Sequence, residues 1–374
     1  MSRERILLIG AYGQFGSRIA EALARDDVDL LLAGRDLARA QALADRVGAA
    51  GGARLIPTRL DVESPHLVDD IAALAPTLLI HTAGPFQRRD YRVADAAIAV
   101  GAHYIDLADG REFVTGIDRL DAQARARGVR LVSGASSVPG LSAAVVAAHA
   151  PRFARLESVE SAISPGNRTE RGLATTRAIL GYVGRPFPAL VDGQRRAVHG
   201  WQSLRRLRFD DAGTRWLARC DVPDLDVLPH RYPDLRHCDF RAGLELRRMH
   251  FGLWLVSWAV RARIVRGLER HATALLKLSN RWIDAGSDTG VMAVDLVGTS
   301  PDGKPLRLRW TIVARDGSGP HIPATAAVVL ARCWRHASPP PGAGACVDLF
   351  DLHEFMAALD HLPIAASTQV LVNG

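Results

Sequence analysis

The chain has 374 residues, 48% of them hydrophobic and 23% charged, enough to bury a sizeable core in two domains and too apolar for a disordered chain. Its formal charge of +7 and pI near 9.7 come almost wholly from arginine, Lys277 and Lys304 being the only lysines, and no nucleic-acid-binding motif accompanies the charge. No apolar stretch reaches the ~18–20 residues that span a bilayer, and Met1-Ser2-Arg3-Glu4 leads into the first apolar run without a signal-peptide core, so the expectation is a soluble, cytoplasmic protein.

Ile6 to Ile9 is the first strand, followed by the turn Gly10-Ala11-Tyr12-Gly13-Gln14-Phe15-Gly16. Apolar residues at Phe15, Ile19, Ala22 and Leu23 predict a helix from Gln14 to Arg25, and Val28 to Ala33 is a buried-type second strand ending in Gly34-Arg35-Asp36. A glycine turn between strand and helix lets backbone N–H groups approach a pyrophosphate at the positive end of the helix dipole. Gly10, Tyr12, Gly13, Gln14, Phe15 and Gly16 are therefore candidate dinucleotide-binding residues. Sites for NAD place a carboxylate on the ribose 2′-OH near the end of the second strand, whereas here Arg35 stands beside Asp36. A guanidinium matches a 2′-phosphate, so the expected cofactor is NADP(H).

Leu37 to Val47 is a helix, Arg54 to Leu60 a strand, and Asp61 either lies near the adenine or caps a helix from Ser64 to Leu74. The strand Thr77 to His81 opens onto Thr82-Ala83-Gly84-Pro85-Phe86, where small residues let the ribose and nicotinamide pass, which makes Ala83, Gly84 and Pro85 candidates. A helix from Tyr91 to Val100, the strand His103 to Asp106, a helix from Glu112 to Arg127 and the strand Val129 to Val132 follow. The small polar loop Ser133 to Leu141 then offers Ser136 and Ser137 to a carboxamide or a substrate, ahead of the helix Ser142 to His149.

Beyond Pro151 the pattern becomes mixed. Strands are expected at Leu156 to Ile163, Met292 to Leu296 and Leu306 to Val313, the last two joined by an Asp302-Gly303 hairpin, with helices at Thr169 to Tyr182 and Leu253 to Leu278. Arginine thickens from Arg205 to Arg266, as a solvated basic face or as an attractor of an anionic substrate or carrier. Phe251 to Val260 is the segment best suited to touch a membrane, but Arg261 and Arg263 end it early, and a buried helix or a dimer contact is the expected use. His321 sits in a Gly-Pro-His-Ile-Pro segment expected to be a loop, either projecting an imidazole into the site or making an ordinary turn; Pro323 to Arg335 and Asp351 to Leu359 are helices flanking a Pro-rich linker. The four cysteines and thirteen histidines are dispersed, with no metal-ligand spacing, so no metal is expected. The domains are 1–150, binding the dinucleotide; 151–320, an α+β domain for substrate and dimer contacts; and 321–374, C-terminal helices packing back on the first domain.

The glycine turn with Gly34-Arg35-Asp36, the Thr82 to Phe86 segment, His103-Tyr104-Ile105-Asp106 and Val138-Pro139-Gly140 together resemble the saccharopine dehydrogenase-like family, over residues 1 to about 145. Gly286 to Met292, Ala314 to Pro323 and Gly344-Ala345-Cys346 resemble bacterial members with a C-terminal extension. The resemblance implies an α/β protein: a Rossmann doubly wound parallel sheet and a second α+β domain. It further implies reduction or formation of a C=N bond, as in amino-acid-handling members, or of an activated C=C bond, as in trans-acting enoyl reductases of lipid assembly. Ala135 replaces the cysteine that precedes the Pro-Gly turn in saccharopine-forming enzymes, which puts that substrate in doubt.

A Tyr-x-x-x-Lys pair is absent, because Thr273 and Ser300 precede the two lysines by four residues, and there is no G-x-S-x-G elbow. Asp106, in the resembled family's active-site aspartate region, and Tyr104 on the same face of its strand are the catalytic candidates, with His321; for Asp106, capping of the next turn is the equal alternative. The expected activity is reduction by NADP(H) of a small or carrier-bound anionic substrate in a homodimer. The alternatives are a dinucleotide-sensing or scaffold protein without turnover, and a lipid-acting enoyl reductase.

Overall fold

The apolar runs of the first half assemble into one parallel sheet. In the computed structural model, which describes residues 3–48 and 51–371, the chain passes through β1 (Glu4–Ile9), α1 (Gln14–Leu23), β2 (Val28–Gly34), α2 (Leu37–Val47), β3 (Arg54–Arg59), α3 (Leu67–Leu74), β4 (Leu78–His81), α4 (Arg92–Val100), β5 (His103–Asp106), α5 (Arg111–Thr115), α6 (Asp121–Arg127) and β6 (Arg130–Ser133). Met1 and Ser2, read above as the approach to the first strand, lie outside the described residues. The strands lie in the order β6-β5-β4-β1-β2-β3 and every pairing is parallel. Strand order reverses between β1 and β4, and a crevice forms outside the carboxyl ends of strands at such a switch point. Ile6, Leu7 and Leu8 are fully buried, as a central strand covered on both faces requires, each adding about 1.5–3 kcal/mol of burial.

The chain continues through α7 (Ser142–His149), β7 (Arg155–Ser164), α8 (Leu173–Tyr182), β8 (Pro186–Val191), β9 (Gln194–His199), β10 (Arg205–Phe209), β11 (Gly213–Arg219), α9 (Asp224–Arg231), β12 (His237–Ala242), α10 (Arg247–Arg261), α11 (Ala272–Asn280), β13 (Gly290–Thr299), β14 (Pro305–Ala314), α12 (His321–His336), β15 (Gly342–Ala345), α13 (Leu352–Ala357) and β16 (Ile364–Val370). Contacts divide it into two units, Met1–Leu141 with His321–Phe350 and Ser142–Pro320 with Asp351–Gly374. In the first unit β15 pairs in parallel with β6 as a seventh strand, and α12 packs on α1. In the second a nine-stranded mixed sheet runs β10-β11-β12-β7-β13-β14-β16, with the β8–β9 hairpin attached at β12.

Three expected elements differ. The helix expected from Glu112 to Arg127 is broken by a 3-10 turn, Gly116–Leu120; the Tyr91 hydroxyl donates to the Phe113 carbonyl at 2.8 Å, and a Cβ at Gly116 would lie 2.6 Å from that hydroxyl. The helix expected from Leu253 to Leu278 is two helices, α10 and α11, separated where Arg263 (φ 63°) and Gly267 (φ 64°) turn left-handed. Nor is α10 a buried helix, since only His250 and Ser257 are buried on it. Six of the arginines from Arg205 to Arg241 lie on strands β10, β11 and β12. Glu160, Asp239, Asp295 and Arg309 are cross-strand partners on one face of the second sheet, where Asp295 accepts from Arg309 at 2.6 Å and Arg307 at 3.3 Å. Asp239 accepts from Arg241 at 2.7 Å and Arg219 at 3.2 Å, and Arg205 pairs with Glu160. Arg205, Arg219 and Arg241 of this stretch are thus ion-paired, and Arg307 and Arg309 of β14 join them on the same three carboxylates.

Candidate functional site

Gly10 adopts φ 80°, and a Cβ there would come 2.7 Å from Thr82 Oγ1 and 3.0 Å from the Ala83 amide nitrogen. A Cβ at Gly16 would sit 2.2 Å from the Gly10 carbonyl oxygen, so the start of α1 can press this closely on the turn only as glycine. The Gly10 and Ala11 amides donate to the Ala33 carbonyl, and the Gly13 amide to the Gly10 carbonyl, at 2.9–3.2 Å. At Gly13 the helix has no side-chain cap, and its first turn holds no acidic residue. Its N-terminal partial charge is thus unopposed by any carboxylate of its own, and the missing Cβ atoms leave backbone accessible, which fits a pyrophosphate. Gln14 and Phe15 open this helix half-buried, beside the exposed Gly13.

Tyr12 reaches across to the end of β2. Its hydroxyl accepts the Asp36 amide at 2.9 Å, and its ring fills the space of a missing Gly34 side chain, where a Cβ would lie 2.4 Å from it. The Arg39 guanidinium stacks on that ring, 4.4 Å from the centroid. Arg35 is exposed and has no ion pair among the described residues. Asp36 accepts the Arg39 amide at 3.1 Å and so caps α2. Arg35 just after β2, exposed, and Arg39 in the first turn of α2, stacked, together suit a 2′-phosphate. Arg39 was missed in the sequence; its signal is the four-residue spacing from Arg35. Asp61, exposed beyond β3, accepts the Glu63 amide at 3.1 Å and orders that turn, while His66 stands at the N-cap of α3.

Beside the glycine turn, the Thr82 hydroxyl donates to the Ile9 carbonyl at 2.9 Å. This seats Ala83, Gly84 and Pro85, all half-buried, next to Gly10. Behind them lies a buried polar line. His81 Nδ1 is 3.1 Å from the Tyr104 hydroxyl, and the Ala83 backbone is a second polar neighbour of the ring. Desolvation lowers the His81 pKa to about 4, keeping the ring neutral. Tyr104 and Asp106 are both 0% exposed. Asp106 Oδ1 accepts the Ala108 amide, the Ser133 hydroxyl and the Gly134 amide, each at 2.9 Å. Burial raises its pKa to about 6 in spite of these donors, and burial with the neighbouring carboxylate pushes Tyr104 well above its usual range.

Asp106 therefore clamps the ends of β5 and β6 together, the turn-capping alternative, and neither it nor Tyr104 has surface with which to touch a substrate. Ser136 is 8% exposed and Ser137 6%; the Ser137 hydroxyl has no hydrogen-bond partner among the described residues. His321 is not in a loop. It is the first residue of α12, and Pro323 falls in the first turn, where a missing N–H removes no helical hydrogen bond. Among the described residues no group of His, Cys, Asp and Glu is arranged to hold a metal, and no helix is long and apolar enough to cross a membrane.

Residues 6–132 match the family described as saccharopine dehydrogenase NADP binding domain. No curated protein matches the chain in sequence. Among solved structures the chain is similar to apo saccharopine dehydrogenase (L-Glu forming) from Saccharomyces cerevisiae, with 15% identity and a TM-score of 0.68 over 99% of this chain and 100% of that one. It is also similar to amine dehydrogenase from Mycobacterium smegmatis, with 12% identity and a TM-score of 0.50 over 93% and 96%. At such identities these structures establish the fold, and the match over 6–132 establishes the cofactor domain. Residues 6–132 thus form a saccharopine dehydrogenase-type NADP-binding domain, whose cofactor is NADP(H), and the chain as a whole is similar in fold to saccharopine dehydrogenase.

Proposed function

We propose that this protein uses NADPH to reduce a C=N or an activated C=C bond in a small or carrier-bound substrate bearing negative charge. The observation that carries this reading is the end of β2, where Tyr12 holds the Asp36 amide and carries Arg39 on its ring, with Arg35 exposed next to Asp36, after the uncapped start of α1. The cofactor supplies hydride, so what remains for the protein is to orient the nicotinamide, exclude water and deliver a proton. Orientation falls to the Thr82 to Pro85 loop, packed against Gly10. His81 is the residue of the buried line that lies next to that loop, and its contact with the Tyr104 hydroxyl makes it the candidate end of a proton path through Tyr104. The surplus of arginine over carboxylate on the second sheet supports an anionic substrate.

The decisive experiment titrates NADPH and NADH by fluorescence and then follows NADPH oxidation with two panels, amine plus 2-oxo acid and enoyl thioester. Preference for NADPH with turnover in either panel is the expected result. Equal binding of the two cofactors, or of neither, overturns the reading. A second reading, a dinucleotide-binding protein without turnover, is favoured by the complete burial of Asp106 and Tyr104. It predicts tight NADPH binding and no oxidation in either panel.

A further inference from the structure

Helix α10 exposes Leu255 and Trp258, with Phe251 and Trp254 half-buried beside them. Phe251, Trp254, Leu255 and Trp258 follow helical spacing along one face, with ring centroids 6.4 Å apart from Phe251 to Trp254 and from Trp254 to Trp258. Leu255 is 61% exposed, Trp258 46%, and Ile264, just past the helix, 79%. With Leu278 on α11 these are four of the seven large apolar side chains exposed among the described residues, so the exposure is concentrated rather than scattered.

The charge around this face is one-sided. From Arg247 to Arg281 the chain carries eight basic residues and a single acid, Glu269, which is bound to Arg185 at 2.8 Å. Arg247, Arg248, Arg261, Arg263 and Arg266 are exposed. The Arg261 guanidinium lies 5.1 Å from the Trp258 ring centroid and donates to Gln202.

We propose that α10 and the turn after it form a membrane-surface attachment site. The helix would lie in the plane of an anionic bilayer, with Leu255, Trp258 and Ile264 at the acyl boundary and the flanking arginines among the lipid phosphates. Tryptophan and aliphatic side chains on one face, framed by arginine, are the composition of an interfacial helix. At fifteen residues α10 is too short to span a membrane. A second copy is a poor occupant, because a two-fold contact would set these arginines against their own images. The inference is independent of the reaction proposed above.

Co-sedimentation of the full chain with vesicles of phosphatidylcholine, alone or mixed with phosphatidylglycerol, tests it. Pelleting is expected only with the anionic vesicles and should fall with added salt. L255Q/W258Q should abolish it, and R263Q/R266Q should lower the partition coefficient by about 30-fold, both with NADPH binding and thermal midpoint retained. The two arginine positions are exposed, so that variant remains informative if the apolar one misfolds. Absence of pelleting with anionic vesicles overturns the proposal, as does pelleting that R263Q/R266Q leaves unchanged. Pelleting that survives in folded L255Q/W258Q assigns the attraction to charge alone. A dimer that L255Q/W258Q splits, with no vesicle binding, assigns the face to a second copy. Either result also overturns the proposal.

Discussion

The Tyr12 hydroxyl accepts the Asp36 amide at 2.9 Å, tying the glycine turn after β1 to the last residues of β2. Phosphate-binding backbone and ribose-end arginines are thereby held in one geometry. Removing only that oxygen, Tyr12→Phe, should cost about 1 kcal/mol, a roughly fivefold weaker NADPH dissociation constant in a fluorescence titration, with the thermal midpoint little changed. An unchanged constant would mean that the tie does not shape the site.

Arg35 distinguishes the two cofactors by charge. Arg35→Ala should weaken NADPH by about 10- to 100-fold, the loss of a charge-assisted contact of about 1.5–3 kcal/mol, and leave NADH affinity where it was. Calorimetric titration with both nucleotides checks this, and parallel losses for the two would sink the assignment.

Gly16→Ala places a methyl 2.2 Å from the Gly10 carbonyl oxygen, so the helix start must move. Urea denaturation should show a loss of about 1–3 kcal/mol, and NADPH binding should fall with it because the same atoms frame the pyrophosphate. A variant of full stability and affinity would show that the turn yields without cost.

Asp106 gives a pH signature. Its pKa in the fold is raised to about 6, so the folded state holds a proton that the unfolded chain has released. Its contribution is full below about pH 4 and is lost as pH rises through about 6, on the order of 3 kcal/mol in all. His81, lowered to about 4, acts in the opposite sense, contributing above about pH 6.5 and losing that contribution as pH falls through about 4. Comparing wild type with Asp106→Asn across pH 4–7 cancels the His81 part: the difference between their stabilities should change in favour of the variant as pH rises. A flat difference would mean that Asp106 does not titrate in this range.

Asp224 is the corresponding group of the second unit. It is 1% exposed, and burial raises its pKa to about 7 in spite of the neighbouring Ser142 hydroxyl. Asp224→Asn should gain stability over wild type as pH rises from about 4 through 7, by a few kcal/mol, read from thermal midpoints along the series. A midpoint difference that does not vary with pH would refute the burial argument.

Much of the first unit was legible in the chain itself. β2, α2 and β5 lie where composition and spacing put them, because parallel strands buried on both faces are continuous apolar runs and helices keep their 3.6-residue period. The glycine turn was equally plain, since close backbone approach admits only glycine at Gly10 and Gly16. The arginine-rich strands β10, β11 and β12 were not legible, because their charges acquire meaning only in the folded sheet, where Arg205 meets Glu160 of β7 and Arg219 meets Asp239 of β12. His321 misled for a related reason: a proline on either side of it signals a loop, yet a first helical turn accepts both.

By itself, then, the sequence determined the alternating architecture, the dinucleotide turn and the arginine that points to a 2′-phosphate, all of them local patterns within about thirty residues. Only the tertiary structure decided which side chains have a surface to work with. It sank Asp106 and Tyr104 beneath the carboxyl ends of β4, β5 and β6, stacked Arg39 on Tyr12, paired the arginines of the second sheet and left the apolar face of α10 in the open. Burial and pairing depend on distant segments meeting, and no local pattern encodes which of them will meet.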